Sequence, residues 1–428
     1  MTPLNRLISL SDCTAVVRLE QGKLLTAEDD TIQILNYRLE KVPGQPGFLG
    51  EYAHLIVTVK VNGKSKELNY FVKCLPYTDP KQREIIQEIG VFKKEADSYR
   101  ELFSAFSQDP SRVSKWHPSC WLARDDILVM EDLHSSGYRP MPWRKDFGKA
   151  HLLTIFDALA QMHACSLDLE FNQMAGKRLD AKFGSMLTEN TFMKESTWFT
   201  VGLKGIFKVA LEGSRYARTA AYKTRMASEM LNKMERIFEL SKPTDRFQSV
   251  IVHRDLWFNN MMFKFDNDPL TGTIDYDKPK SCILIDFQIA RYLPPAIDFL
   301  CTIYLLTRRC HRDEHYDFYM EYYYRRLSEK LQLLNLDIKV LLPWKQYVES
   351  LEHYRLVGLL WSGVLLAFVN LPEGFLGDLH VTDVDAYHEF CLVSRDATIM
   401  EFFQKDCNYR ERLLDSVDET IEYLFGFE

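Results

Sequence analysis

The 428-residue sequence has no C-x-x-C pair, no apolar run long enough to span a bilayer, no internal repeat and no low-complexity tract. Its nine cysteines (Cys13, Cys74, Cys120, Cys165, Cys282, Cys301, Cys310, Cys391, Cys407) are odd in number, widely spaced and mostly set in apolar stretches. That pattern excludes a disulfide framework or a zinc knuckle and reads as buried free thiols in a reducing compartment. Met1 to Leu10 lacks the long apolar segment of a secretory signal. The best membrane candidate, Leu356 to Val369, is 14 residues long and is interrupted by Gly358, Ser362 and Gly363. A span needs about 20 residues, so a buried helix is expected instead. Basic residues are scattered and the net charge is −7, which argues against nucleic acid as a partner. The expectation is a cytoplasmic protein without membrane insertion or an obligate protein partner.

The chain carries 46% hydrophobic and 26% charged residues, enough apolar content for a large folded core. The first 130 residues read as β-rich with one or two helices, and the remainder as largely helical. Leu55 to Val61 alternates into Asn62-Gly63, a two-residue hairpin signal, and the strand Leu68 to Leu75 follows. From Asp79 the pattern turns helical, with Ile85, Ile89, Phe92, Ala96, Tyr99 and Phe103 at helical spacing. Asp126 to Met130 is a short apolar strand, and Ser135 to Pro140 reads as the connection between two lobes. Helices are expected over His151 to Ser166, within 190–240 and over 313–334, and a docked one at the C-terminus.

One constellation carries chemistry. Residues 252–260 read Val-His-Arg-Asp-Leu-Trp-Phe-Asn-Asn, and Asp286, in Leu284-Ile285-Asp286-Phe287, lies 26 residues after Asn260. Short apolar strands flank both segments, so the polar residues fall on loops held at strand ends. Phosphoryl transfer requires a carboxylate to deprotonate an acceptor hydroxyl and hard oxygen ligands for Mg²⁺. Asp255 is the candidate base, and Asn260 and Asp286 are the candidate metal ligands.

A cation should then reach the α- and β-phosphates of ATP from the small lobe. Lys73 lies in the apolar strand Tyr70 to Leu75, where its charge needs an anion unless it faces water from an edge strand. Its partner is expected to be Glu95, beside the Phe92, Ala96, Tyr99 stripe, with Glu88 as a rival. Pro43 to Tyr52 has the glycines of a phosphate-covering loop, Gly50 among them, but not the G-x-G-x-x-G spacing, and an ordinary turn is the alternative. The backbone around Glu131 to Leu133 is the candidate adenine hinge.

These stretches resemble the insect ecdysteroid-kinase-like proteins, which carry the CHK kinase-like domain and are related to choline kinases and aminoglycoside phosphotransferases. Leu128 to Leu133 with Gly137-Tyr138-Arg139 is similar to the family's hinge, and Leu159 to Ser166 to its helix motif. Val252 to Phe263 resembles the catalytic loop, Leu284 to Gln288 with Asp298-Phe299-Leu300 the metal segment, and Gly50 to Ala53 the phosphate loop. The resemblance spans residues 50 to 300. It implies an α+β, bilobal protein-kinase-like fold with a small β-rich N-lobe (1–132) and a large, mainly helical C-lobe (133–428). It also implies ATP with Mg²⁺, and a small-molecule alcohol as acceptor. Two departures stand out: Arg254 where the family often has glycine, and His54-Leu55 where smaller residues follow Tyr-Ala.

The spacing after Asp286 points away from peptide substrates. Pro294-Pro295 opens an apolar helix within ten residues of Gln288, which leaves little room for an activation segment. The expected function is phosphorylation of a hydroxyl on an ecdysteroid-like or xenobiotic alcohol, with the aromatic run Phe318 to Tyr324 and Trp361 to Phe368 as candidate pocket walls or core. The alternative is a pseudokinase that binds a nucleotide or small molecule without turnover; an unusual protein kinase ranks below it. His163 reads as a hydrogen-bonded core histidine, and His253 and Asp298 as supports of the catalytic loop, none of the three being a reacting group.

Overall fold

The computed structural model describes residues 4–21, 33–42, 49–61 and 63–427. Five strands, β1 (Gln33–Lys41), β2 (Glu51–Val61), β3 (Lys64–Cys74), β4 (Cys120–Ala123) and β5 (Ile127–Glu131), form an antiparallel sheet in the order β1-β2-β3-β5-β4. The β2–β3 register pairs Val61 with Lys64, and Gly63 between them has φ +81°, a left-handed conformation that glycine adopts without steric cost. Alternation then decides the faces. Ala53, Leu55, Val57, Leu68, Tyr70, Val72 and Cys74 pack with Cys13, Val16 and Val17 of helix α1 (Leu10–Gln21). Lys73 lies on the opposite face.

The helical stripe read from Ile85 to Phe103 is not one helix. Asp79 caps α2 (Pro80–Ile89), its Oδ1 accepting from Gln82 N at 3.0 Å, and Gly90 ends it with φ +76°. Helix α3 (Val91–Asp97) restarts in a new phase, leaving Glu88 and Ile89 exposed and Phe92, Glu95 and Ala96 buried. A π-helical turn carries the chain on to Phe103.

The segment read as a plain lobe connection contains a strand. Gly137, with φ +85°, turns the chain so that Tyr138 N–H donates to Leu133 O at 2.9 Å. Strand β6 (Tyr138–Arg139) then pairs with β8 (Met261–Asn267), which pairs with β9 (Ile274–Leu284), while β7 (Val250–Val252) pairs with β10 (Arg291–Leu293). The remainder is helical. The Lys149–Asp168 helix packs on Arg309–Leu333, and Trp344–Val369 on Ala296–Leu306. Gly358 permits the second contact, because a Cβ there would meet Leu300 Cβ at 2.8 Å.

Leu356 to Phe368 is almost wholly buried inside this helical part, each Leu or Val contributing about 1.5–3 kcal/mol of apolar burial. Among the described residues no helix is long and apolar enough to cross a membrane. Trp361 to Phe368 fills the interior, as do Tyr319 and Tyr323, whereas Phe318 is exposed and Tyr322 and Tyr324 are half-buried.

Candidate active site

Two short pairings bring the distant polar residues together. The β8–β9 register sets Met261 opposite Leu284, so Asn260, just before β8, meets the segment just after β9, and Ile285 N–H donates to Asn260 O at 3.1 Å. The β7–β10 pair sets Val252 opposite Arg291, holding His253 to Asp255 beside the turn that follows Asp286.

Lys73 reaches across from the five-stranded sheet. Its Nζ lies 2.6 Å from Glu95 Oε2 and 3.0 Å from Asp286 Oδ1, with Lys73 only 3% and Glu95 only 1% exposed. Burial pushes the ammonium's pKa down, but Asp286 and Glu95 outweigh it and push it up, so the charge is retained. Burial also pushes the Glu95 carboxyl up, with the Lys73 ammonium pulling it back. Glu95 Oε1 accepts from Phe287 N at 3.2 Å, and the Phe287 ring packs on Phe103 with centroids 4.8 Å apart. Helix α3 is thereby registered on the Asp286 segment by a carboxylate and an aromatic contact. Of the two rival glutamates, Glu95 is the one at Lys73.

Asp255 is 8% exposed, and Asn260 Nδ2 donates to its backbone O at 2.8 Å and to its Oδ2 at 3.0 Å. Burial and the like charge of Asp286 push the Asp255 carboxyl up to about 7, against the opposing pull of Arg254, Asn260 and Lys73. A carboxylate at that value is poised to take a proton near neutrality. With the Asn260 amide nitrogen committed to Asp255, its carbonyl oxygen is the group left to face a cation. Among the described residues no cluster of three or more His, Cys, Asp or Glu side chains forms a metal cage. A magnesium ion on nucleotide phosphates needs only one or two protein carboxylates, so Asp286 with Asn260 fits that ion.

The loop's backbone is held from beneath. Asp298 accepts from His253 N at 2.7 Å, Arg254 N at 2.6 Å and His163 Nε2 at 3.1 Å. Burial lowers the pKa of His253, favouring a neutral ring whose Nε2 donates to Ile285 O at 2.9 Å and whose Nδ1 accepts from Asp255 N at 3.2 Å. Trp361 Nε1–H donates to Arg254 O at 2.6 Å. Arg254 and Asp286 have φ +67° and +69°, a left-handed backbone that costs a non-glycine residue about 1–2 kcal/mol. This gives the physical reason a glycine suits position 254.

Gly50 lies against the stem of Lys73, where a Cβ would be 3.3 Å from Cys74 O and 3.5 Å from Lys73 Cε. Pro43 to Phe48, the rest of the glycine segment, lies outside the described residues. In the segment expected to form the hinge, Glu131 N–H donates to Ser119 O at 2.9 Å and Leu133 O accepts from Tyr138 N at 2.9 Å. The Glu131 side chain is tied to Lys115 and Ser136. Of the family departures, Leu55 faces α1 and His54 lies edge-on to Phe71, so neither replaces a reacting group. Beside Trp257 and Phe258 is a small hollow, also lined by Arg144, Leu306, Leu366 and Asn370.

Sequence reasoning missed Glu189 and Arg291, and it read Trp361 as pocket wall or core rather than as a donor to the catalytic loop. Glu189 ion-pairs with Arg254 and Arg291 across 65 and 102 residues. No periodicity marks it, and only the need of a buried arginine for a carboxylate pointed to such a residue.

The model of the ecdysteroid kinase-like family matches residues 49–336. The chain belongs to the ecdysteroid kinase-like family. It is a phosphotransferase with an alcohol group as acceptor. No curated protein matches it. Among solved structures it is similar to the aminoglycoside phosphotransferase APH(2'')-Ib bound to ADP, at 14% identity over 95% of this chain and 96% of that one, with a TM-score of 0.32. It is also similar to APH(2'')-IIa in a ternary complex with streptomycin and ATP, at 15% identity over 89% and 99%, with a TM-score of 0.32.

Proposed function

We propose that the protein transfers the γ-phosphoryl group of ATP to a hydroxyl of an ecdysteroid-like or xenobiotic alcohol. The observation that carries this reading is the convergence of Lys73, Glu95 and Asp286 in one buried ion-pair set, with Asp255, held by Asn260, within reach of the charges of Asp286 and Lys73. The acceptor oxygen forms a bond to the γ-phosphorus, the bond to the β–γ bridging oxygen breaks, and ADP leaves. Asp255 takes the hydroxyl proton and later returns it to solvent. Lys73, braced by Glu95, holds the α- and β-phosphates. Asp286 and Asn260 would hold Mg²⁺, which supplies positive charge to the phosphate oxygens. The Glu131 carbonyl and Leu133 amide meet the adenine, and Gly50 gives the phosphates room near Lys73. The acceptor approaches from the Trp257–Phe258 side.

In this reading the two lobes divide at residues 132 and 133. All nine cysteines are free, which supports a reducing, cytoplasmic setting. The test is incubation of the purified protein with ATP, Mg²⁺ and a panel of ecdysteroids and glycosidic or phenolic alcohols, followed by mass spectrometry for the gain of one phosphate. Failure of every alcohol, together with absence of Mg²⁺-dependent ATP binding, would overturn it.

A further inference from the structure

Arg254 is fully buried, one residue before the candidate base, in a left-handed backbone conformation. Its guanidinium makes two ion-pair contacts with Glu189, NH1 to Oε2 at 2.8 Å and NH2 to Oε1 at 3.2 Å. Its Nε and NH2 also donate to Ile289 O, at 3.1 and 2.9 Å, in the turn that follows Asp286. Glu189 is fixed on its other side, accepting from Thr191 N and Phe192 N at 2.9 Å each and from Arg291 NH1 at 2.7 Å. The next-door neighbour of Glu95, Lys94, donates to Thr188 O at 2.8 Å, tying this loop to α3. One carboxylate therefore sits where α3, the catalytic loop and the Asp286 segment meet.

We propose that Glu189 is a built-in anionic clamp for the catalytic loop, a positioning residue that holds Arg254 in its left-handed conformation and so fixes Asp255 against Asn260 and Asp286. In kinases regulated through an activation loop, an arginine pair is completed by an added phosphate. Here the anion is part of the chain, so the loop is assembled without a modification. Burial pushes the Glu189 carboxyl up, but Arg254 and Arg291 hold it at about 2, so the anion persists across the working pH range. Lys94 is pushed well down by burial and by Arg254. The Glu189 carboxylate faces two guanidiniums, those of Arg254 and Arg291, a trio of net charge +1.

The inference rests on the kinase reading of Asp255, and the test separates the two. Glu189→Gln raises the cluster to +2, whereas Arg254→Gly with Glu189→Gln returns it to +1 and lets glycine hold the left-handed backbone. Turnover is read as phosphate release from MgATP, with water as acceptor, beside MgATP affinity. Glu189→Gln should lower turnover by about tenfold while leaving affinity within about threefold, and in an Arg254→Gly background the same change should cost less than about threefold. An equal cost in both backgrounds, or none in either, overturns the clamp. If the wild-type protein neither binds nor hydrolyses MgATP, the kinase reading fails and hydrogen exchange of residues 253–260 decides the clamp alone. Glu189→Gln should speed that exchange in the wild-type background and not in Arg254→Gly; equal acceleration in both overturns it.

Discussion

Replacing Asp255 with asparagine should stabilise the protein while removing its activity. The carboxyl sits at about 7, whereas an unfolded aspartate titrates near 3.9. Between those values the folded state binds a proton that the unfolded state has lost, so stability falls as pH rises from about 4 to 7 and is level above. At 1.36 kcal/mol per pH unit the full gap is about 4 kcal/mol, and about 2 kcal/mol once partial solvation of the carboxyl is allowed for. Asparagine is neutral in both states and escapes this loss. At about 2.1 cal/mol/K per residue, a 428-residue chain gains about 1 °C in Tm per kcal/mol. Asp255→Asn should therefore melt about 2–4 °C above wild type at pH 8 without Mg²⁺, and level with it at pH 4. Differential scanning fluorimetry across pH, run beside ATP titration and turnover, reads all three quantities. MgATP affinity should stay within a few-fold, since the carboxylate acts on the acceptor. Saturating MgATP should narrow the Tm gap, because a cation at Asp286 offsets the like charge that raises Asp255. A Tm difference that does not change with pH refutes the assignment of a proton to Asp255, and collapse of ATP binding refutes its role toward the acceptor.

Glu95→Gln should lower turnover at least tenfold with little change in Tm, while Glu88→Gln, exposed on α2, should cost little; a large loss at Glu88 alone would contradict the ion pair with Lys73. Asp286→Ala should weaken Mg²⁺-dependent ATP binding and abolish activity, with Asn260→Ala milder, because an anionic ligand contributes more to a dication than an amide oxygen; equal ATP affinity of the Asp286 variant across a Mg²⁺ titration would refute this. Trp361→Phe keeps the ring packing but removes the donor to Arg254 O, and should cost about 1–3 kcal/mol in chemical denaturation together with a fall in turnover at unchanged ATP affinity. Loss of stability without loss of turnover would show that this bond does not position the loop.

Lys73, Asp255, Asn260 and Asp286 were legible because the chemistry demands particular atoms. A lysine in an apolar strand and oxygen-bearing residues at strand ends have few other uses. Glu95 was only half legible. Helical spacing runs unbroken from Ile85 to Phe103, so periodicity alone leaves Glu88 and Glu95 on related faces. The left-handed Gly90 resets the phase and turns Glu88 to solvent. The strand at Tyr138 was hidden because two residues carry no period. Glu189 was hidden because its partner is 65 residues away and its own neighbours form a loop.

What remains is why strain gathers where it does. Arg254 and Asp286 are both non-glycine residues with φ near +68°, and each stands just beyond a strand, the three-residue β7 in one case and the 11-residue β9 in the other. The β7–β10 ladder shares only three residue pairs, too few to force the Arg254 turn by its own hydrogen bonds. Ion pairs add to the hydrogen bonds that hold these turns. Asp286 is held by Lys73 from the sheet, and Arg254 by Glu189 from the helical part. The two ion pairs meet at α3, which carries Glu95 on Lys73 and Lys94 on the Glu189 loop. Moving α3 would therefore loosen both turns together, so the placement of Asp255 and the placement of Asp286 are set by one helix.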